Sequence, residues 1–106
     1  MTIQFNTDHN IDGNEKFRTY FIEQISAELS RYSERITRVE VHVTDVNGNK
    51  DGPNDKRCVM EARLKGLKPF AVTNMGDTLE QAINGALQKL SISMESIHSR
   101  MSKHRL

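Results

Sequence analysis

Polar and apolar residues alternate from Thr2 to Thr7, with Ile3 and Phe5 on one side, and this predicts a short strand. The segment from His9 to Asn14 contains Asp12-Gly13-Asn14 and reads as a turn. From Glu15 to about Ser33 the period lengthens. Phe17, Phe21, Ile25, Leu29 and Tyr32 recur at helical spacing and make one apolar stripe, flanked by Tyr20 and Ile22. Glu23, Glu28 and Arg31 fall mostly off that stripe, towards solvent. Thr37 to Thr44 returns to strict alternation: Val39, Val41 and Val43 point one way, and Arg38, Glu40, His42 and Thr44 the other. Such a strand has one buried and one wet face. A helix separates it from the first strand, so the two run parallel if they are neighbours.

Asp45 to Asp55 is rich in Asn, Asp and Gly and predicts a loop. Lys56 to Leu64 alternates again, with Cys58, Met60, Ala62 and Leu64 inward and Arg57, Val59, Glu61 and Arg63 outward. Lys65-Gly66-Leu67 is a tight turn, and Phe70, Val72 and Asn74 share one face of a last strand. Pro69 lacks a backbone donor and suits a strand end or an edge. Asp77-Thr78-Leu79-Glu80 resembles a capping box, with Asp77 as the cap and Glu80 reaching back. After it, Leu79, Ala82, Ile83, Ala86, Leu90, Met94, Ile97 and Met101 form a long stripe, predicting a helix that outlasts a short sheet. Gly85 inside it costs about 1 kcal/mol relative to Ala, which predicts a close approach of helix and sheet at that point. The elements predict an α+β domain of order β-α-β-β-β-α. Its four-stranded mixed sheet carries both helices packed on one face and leaves the other face open and polar.

At 106 residues the chain fits one domain, taken as 1–106. Its 15 Lys and Arg against 14 Asp and Glu give a net charge of +1, so composition allows at most a local basic patch. The lone cysteine, Cys58, cannot form an internal disulfide and favours a reducing compartment. No apolar leader opens the chain, and no run approaches the roughly 18 apolar residues of a membrane span. A cytoplasmic protein with no membrane partner is therefore expected.

Candidate chemistry is sparse. His9, His42, His98 and His104 are scattered, whereas a metal site needs three or four converging ligands, so no metal is expected. Cys58 shares a face with Met60 and Leu64 and reads as a buried structural thiol. Asp45, Asp51 and Asp55 are explained by turn formation, and Gly48 and Gly52 lack the Lys-Ser or Lys-Thr of a phosphate loop. No catalytic residue and no cofactor are assigned. The cations are more informative. Lys89, Arg100, Lys103, His104 and Arg105 crowd the second half of helix two, and Arg31, Arg35 and Arg38 lie where helix one ends and the next strand begins. Cations also suit helix C-termini without any partner. Their meaning therefore depends on convergence into one surface, and on whether Glu23, Glu28 and Glu95 neutralise them.

The ordered set of segments resembles the ribosome hibernation-promoting factor family, also called ribosome-associated inhibitors or sigma-54 modulation proteins, in its short form. The likeness rests on Phe21-Ile22, Leu29, Tyr32 and the Glu34-Arg35-Ile36 exit of helix one. Its strongest part is the run from Asp77 to Leu90, with Ala82-Ile83-Asn84-Gly85 and Lys89-Leu90. The resemblance implies a protein that sits in the small ribosomal subunit near the decoding centre, occludes the mRNA and tRNA path, and holds idle ribosomes inactive. It implies ribosomal RNA contacts from Arg31, Arg35, Lys89 and Arg100, to which the cationic end of helix two adds Lys103. The chain departs from short members where Ile25, Glu28, Ile92 and Ser96 replace basic residues, and in its longer, more polar loop at Asp45 to Asp55. These departures mark a diverged member. The weak net charge and the apolar end of helix two also suit an alternative: a protein-interaction module, or a weak homodimer through helix two, without ribosome binding.

Overall fold

A computed structural model describes residues 1–8, 14–46 and 53–103, with side chains through residue 101. The loop at 47–52, His104 and Arg105, and most of the turn from His9 to Asn14 lie outside the described residues.

The elements run β1 (Thr2–Thr7), α1 (Glu15–Leu29), β2 (Ile36–Asp45), β3 (Lys56–Leu64), β4 (Phe70–Gly76) and α2 (Leu79–Lys103). The sheet order is β1-β2-β3-β4. β1 pairs parallel to β2, as the intervening helix requires, and the remaining pairs are antiparallel. Every strand turns its apolar side to one layer. Phe5, Val39, Val41, Val43, Cys58, Met60, Ala62 and Leu64 meet Phe21, Ile25 and Leu29 of α1 and Ala82, Ile83, Ala86, Leu87, Leu90 and Met94 of α2 in one core. The α+β architecture with both helices on one face is therefore the fold of this chain.

Local chemistry sets the element ends. Asn14 caps α1 by accepting from the Phe17 backbone at 2.8 Å. α1 stops at Leu29 rather than reaching Ser33, and a single 3-10 turn over Ser30–Tyr32 brings Tyr32 into the core. β2 begins one residue before the alternation does. Ile36 pairs with Leu64 and Arg38 with Arg63, so Thr37 is the extra residue of a bulge. The bulge lets Ile36 and Val39 both point inward although they are an odd number of residues apart. At α2 the cap is Thr78, not Asp77. Its hydroxyl accepts from the Gln81 backbone at 3.1 Å, while the Gln81 side chain accepts from the Asp77 backbone at 3.1 Å. Asp77 instead accepts from the Asn54 backbone at 2.7 Å, and Glu80 is exposed.

The open face is charged, and at its centre the charges pair with one another while Arg57 stands exposed beyond them. Arg38 and Arg63 stand opposite each other, as do Glu40 and Glu61. Arg38 pairs with Glu40 at 3.3 Å, and Arg63 reaches Glu61 at 3.1 Å and Glu40 at 3.5 Å. Arg38 also donates to Gln4. Arg38 is thus committed to this network and lies on the opposite side of the sheet from the helices, away from Arg31 and Arg35. Cys58 is completely buried, and burial alone pushes its thiol up to about 12. It packs as a member of the core.

Candidate nucleic-acid interface

β3 runs antiparallel to β2, so the turn after β3 returns to the place where β2 began. The Lys65 backbone donates to the Arg35 carbonyl at 3.0 Å. Gly66, with φ of 73°, supplies the left-handed residue that closes this turn. One end of the molecule therefore gathers the 3-10 turn after α1, the β3–β4 turn and the second half of α2.

On the α1 side, Tyr32, Glu95 and Arg31 are tied together. The Tyr32 hydroxyl donates to Glu95 at 2.6 Å, and Arg31 pairs with Glu95 at 3.0 Å while lying over the Tyr32 ring. Burial and the bond to Glu95 raise the Tyr32 pKa. The same bond, with Arg31 beside it, holds the Glu95 carboxyl below its usual range. Arg31 is thus neutralised by one of the carboxylates whose position made them relevant. Glu95 lowered in the folded state contributes stability at neutral pH. That contribution is fully present above the unfolded carboxylate pKa and is lost as pH falls through the folded value. Tyr32→Phe is expected to lower the urea midpoint at pH 7 and to shrink its fall between pH 7 and pH 3. An unchanged pH dependence would show that the Tyr32–Glu95 bond does not set it.

Next to this knot, Arg35 donates to His98 Nδ1 at 3.3 Å and to Met101 Sδ at 2.9 Å. Arg31, Tyr32, Glu34, Arg35, Lys65 and His98 line a hollow of about 340 Å³. Among the described residues, neither Arg35 nor Lys65 has a carboxylate partner, and Glu34 forms no ion pair. On the other flank of α2, Arg100 and Lys68 border a second, larger hollow, again without a described carboxylate partner. Lys89 lies before the midpoint of α2, in its first half and not its second, and donates to the Thr73 carbonyl of β4 at 2.8 Å. Lys103 ends α2, three residues after Arg100 in sequence.

Of the five cations expected from sequence, then, Arg35 and Arg100 flank the end of α2 without a carboxylate partner among the described residues. Arg31 joins them spatially but is paired, and Lys89 is engaged with the sheet edge. Lys65 and Lys68 complete the cluster and escaped the sequence reading. Lys65 opens the Lys65-Gly66-Leu67 turn and Lys68 follows it, and only the antiparallel return of β3 places that turn beside Arg35. Among the described residues, no group of three or more His, Cys, Asp or Glu side chains is arranged to hold a metal. His42 is exposed on the open face, and Asp45 is held by Lys56 at 3.3 Å. No helix among the described residues is long and apolar enough to cross a membrane.

The family model for the Sigma 54 modulation protein / S30EA ribosomal protein matches residues 5–102. The chain belongs to this family. A search of curated proteins finds no match. Two solved structures share the fold of this S30EA-family chain. A ribosomal subunit interface protein from Coxiella burnetii is 15% identical at a TM-score of 0.71, covering 93% of this chain and 99% of that one. The N-terminal domain of Thermus thermophilus Protein Y is 20% identical at a TM-score of 0.72, covering 92% of this chain and 99% of that one. In this S30EA-family member, the cationic end is assembled from three separate segments held together by the Lys65–Arg35 and Tyr32–Glu95 bonds.

Proposed function

We propose that this protein is a non-enzymatic ribosome-associated factor. It acts in the cytoplasm as a single domain, binds the small subunit near the decoding centre, and inhibits translation by occluding the mRNA and tRNA path. The observation that carries the reading is the gathering of Arg35, Lys65, Lys68 and Arg100 at one end of a fold belonging to the S30EA family. Arg35 and Arg100 grip ribosomal RNA phosphates from either side of the α2 end. Arg31 contributes once Glu95 is displaced or screened, and Lys89 and Lys103 extend the contact along the helix. The opposite face, where Arg38 and Arg63 are paired with Glu40 and Glu61, faces away from RNA.

The chemistry follows from charge alone. Each phosphate contact releases condensed counterions, so affinity falls steeply with salt. In a molecule of net charge +1 the attraction is local, set by the cations gathered at this end. Co-sedimentation with purified small subunits tests the proposal. Binding is expected at low salt and is expected to weaken by orders of magnitude between roughly 50 and 200 mM salt. Failure to sediment with small subunits at any salt concentration would refute it.

A further inference from the structure

The larger hollow at the cationic end has a composition that phosphate contacts do not require. It measures about 830 Å³, within the range of about 300–1,000 Å³ typical of ligand sites. Leu64, Phe70, Ile97 and Met101 form much of its lining. Leu67 of the turn and Ile92 of α2 also line it and stand 44% and 65% exposed, among the few large apolar side chains left in water. Lys68 and Arg100 border it, and the Ser93 and Ser96 hydroxyls supply polar groups along α2.

We infer that this groove receives an unstacked nucleobase of single-stranded RNA, with Lys68 and Arg100 holding the phosphates on either side. The inference rests on the reading above in taking RNA as the partner, and it adds the subsite. Charge complementarity selects the occupant. Apolar surface between two cations that have no carboxylate partner among the described residues suits a chain whose flat apolar rings alternate with negative charges. A second copy of this protein docking symmetrically would bring Arg100 and Lys68 against themselves. The base lies on the Ile92 and Leu67 side chains and the Phe70 ring, and the serine hydroxyls meet its polar edge. Duplex RNA, whose bases are stacked and paired, cannot enter.

The test is fluorescence anisotropy of the full chain with a labelled adenine hexaribonucleotide and with a hexamer of the same backbone and charge but no bases. The base-bearing hexamer is expected to bind about tenfold tighter, the scale of one stacked base. Ile92→Ser, on an exposed position, is expected to remove that difference while leaving affinity for the abasic hexamer unchanged. Leu67→Ser, in the turn, is expected to do the same. Equal affinities for the two hexamers in the native protein would overturn the inference, as would a difference that survives both substitutions. Displacement of the hexamer by a leucine–glutamate helical peptide of equal charge, but not by the abasic backbone, would reassign the groove to a protein partner. Concentration-dependent dimerisation in light scattering, abolished by Ile92→Ser, would reassign it to a second copy. Equal hexamer affinities leave subunit co-sedimentation untouched, whereas loss of subunit binding with a retained base preference would remove only the ribosomal reading.

Discussion

Gly85→Ala is expected to destabilise the domain by about 1–3 kcal/mol, although the same change in a free helix face stabilises by about 1 kcal/mol. A Cβ at Gly85 would overlap Asn74 Nδ2 and sit 2.6 Å from Asn74 Cγ. Asn74 cannot easily withdraw. Its amide crosses from β4 to α2 and donates to the Gln81 and Ala82 carbonyls at 3.2 and 3.3 Å. Adding the methyl group displaces that side chain, breaks both bonds and pushes α2 away from the sheet. Asn74→Ala alone is expected to cost about 1–3 kcal/mol, at about 0.5–1.5 kcal/mol for each of the two bonds. The double variant is expected to be more stable than Gly85→Ala alone, because the obstacle is gone and the helix gains its alanine. Urea midpoints of the four proteins give the coupling directly. A stabilised Gly85→Ala single variant would mean that helix and sheet do not approach this closely.

Arg35→Glu combined with Arg100→Glu is expected to weaken small-subunit binding roughly a hundredfold and to flatten the log–log salt dependence by about two. Reversal matters more than removal, since a carboxylate at either position repels the phosphate that the guanidinium would hold. Arg57→Glu, on the exposed open face, is expected to leave subunit affinity within about twofold, because a charge more than a Debye length of about 10 Å away is screened. The Arg35 substitution also removes its bonds to His98 and Met101. The urea midpoint of each variant separates that structural loss from the loss of RNA contact. Equal weakening by Arg57→Glu would assign the effect to net charge and not to this end of the molecule.

Much of the architecture was legible because the strands alternate cleanly. Val39, Val41 and Val43 on one side and Arg38, Glu40 and His42 on the other define β2 without reference to any neighbour. The apolar stripe from Leu79 to Met101 defines α2 in the same way. What escaped is what depends on a partner. Ile36 breaks the alternation, and only a bulge at Thr37 against β3 restores it to the core. Asp77-x-x-Glu80 and Thr78-x-x-Gln81 are overlapping capping patterns. The second wins because Asp77 is taken by the Asn54 backbone.

The site was less legible than the fold for a related reason. Arg35 and Arg100 were visible as cations near helix ends. Their grouping with Lys65 and Lys68 requires the return path of β3, which no local pattern encodes. The neutralisation of Arg31 by Glu95 likewise spans two helices, and Lys89 turns to the β4 edge because Thr73 offers a carbonyl there.

Directed cleavage from a tethered iron chelate tests most directly which side of the protein meets ribosomal RNA. Cys58 is fully buried, so an introduced surface cysteine is the one accessible thiol. With Ser99→Cys, an exposed α2 position that lines neither hollow, chelate-loaded protein bound to small subunits is predicted to cut the subunit RNA near the decoding centre. With His42→Cys at the middle of the open face, cutting there is predicted to be weak. Strong cleavage from position 42 with none from position 99 would contradict the account.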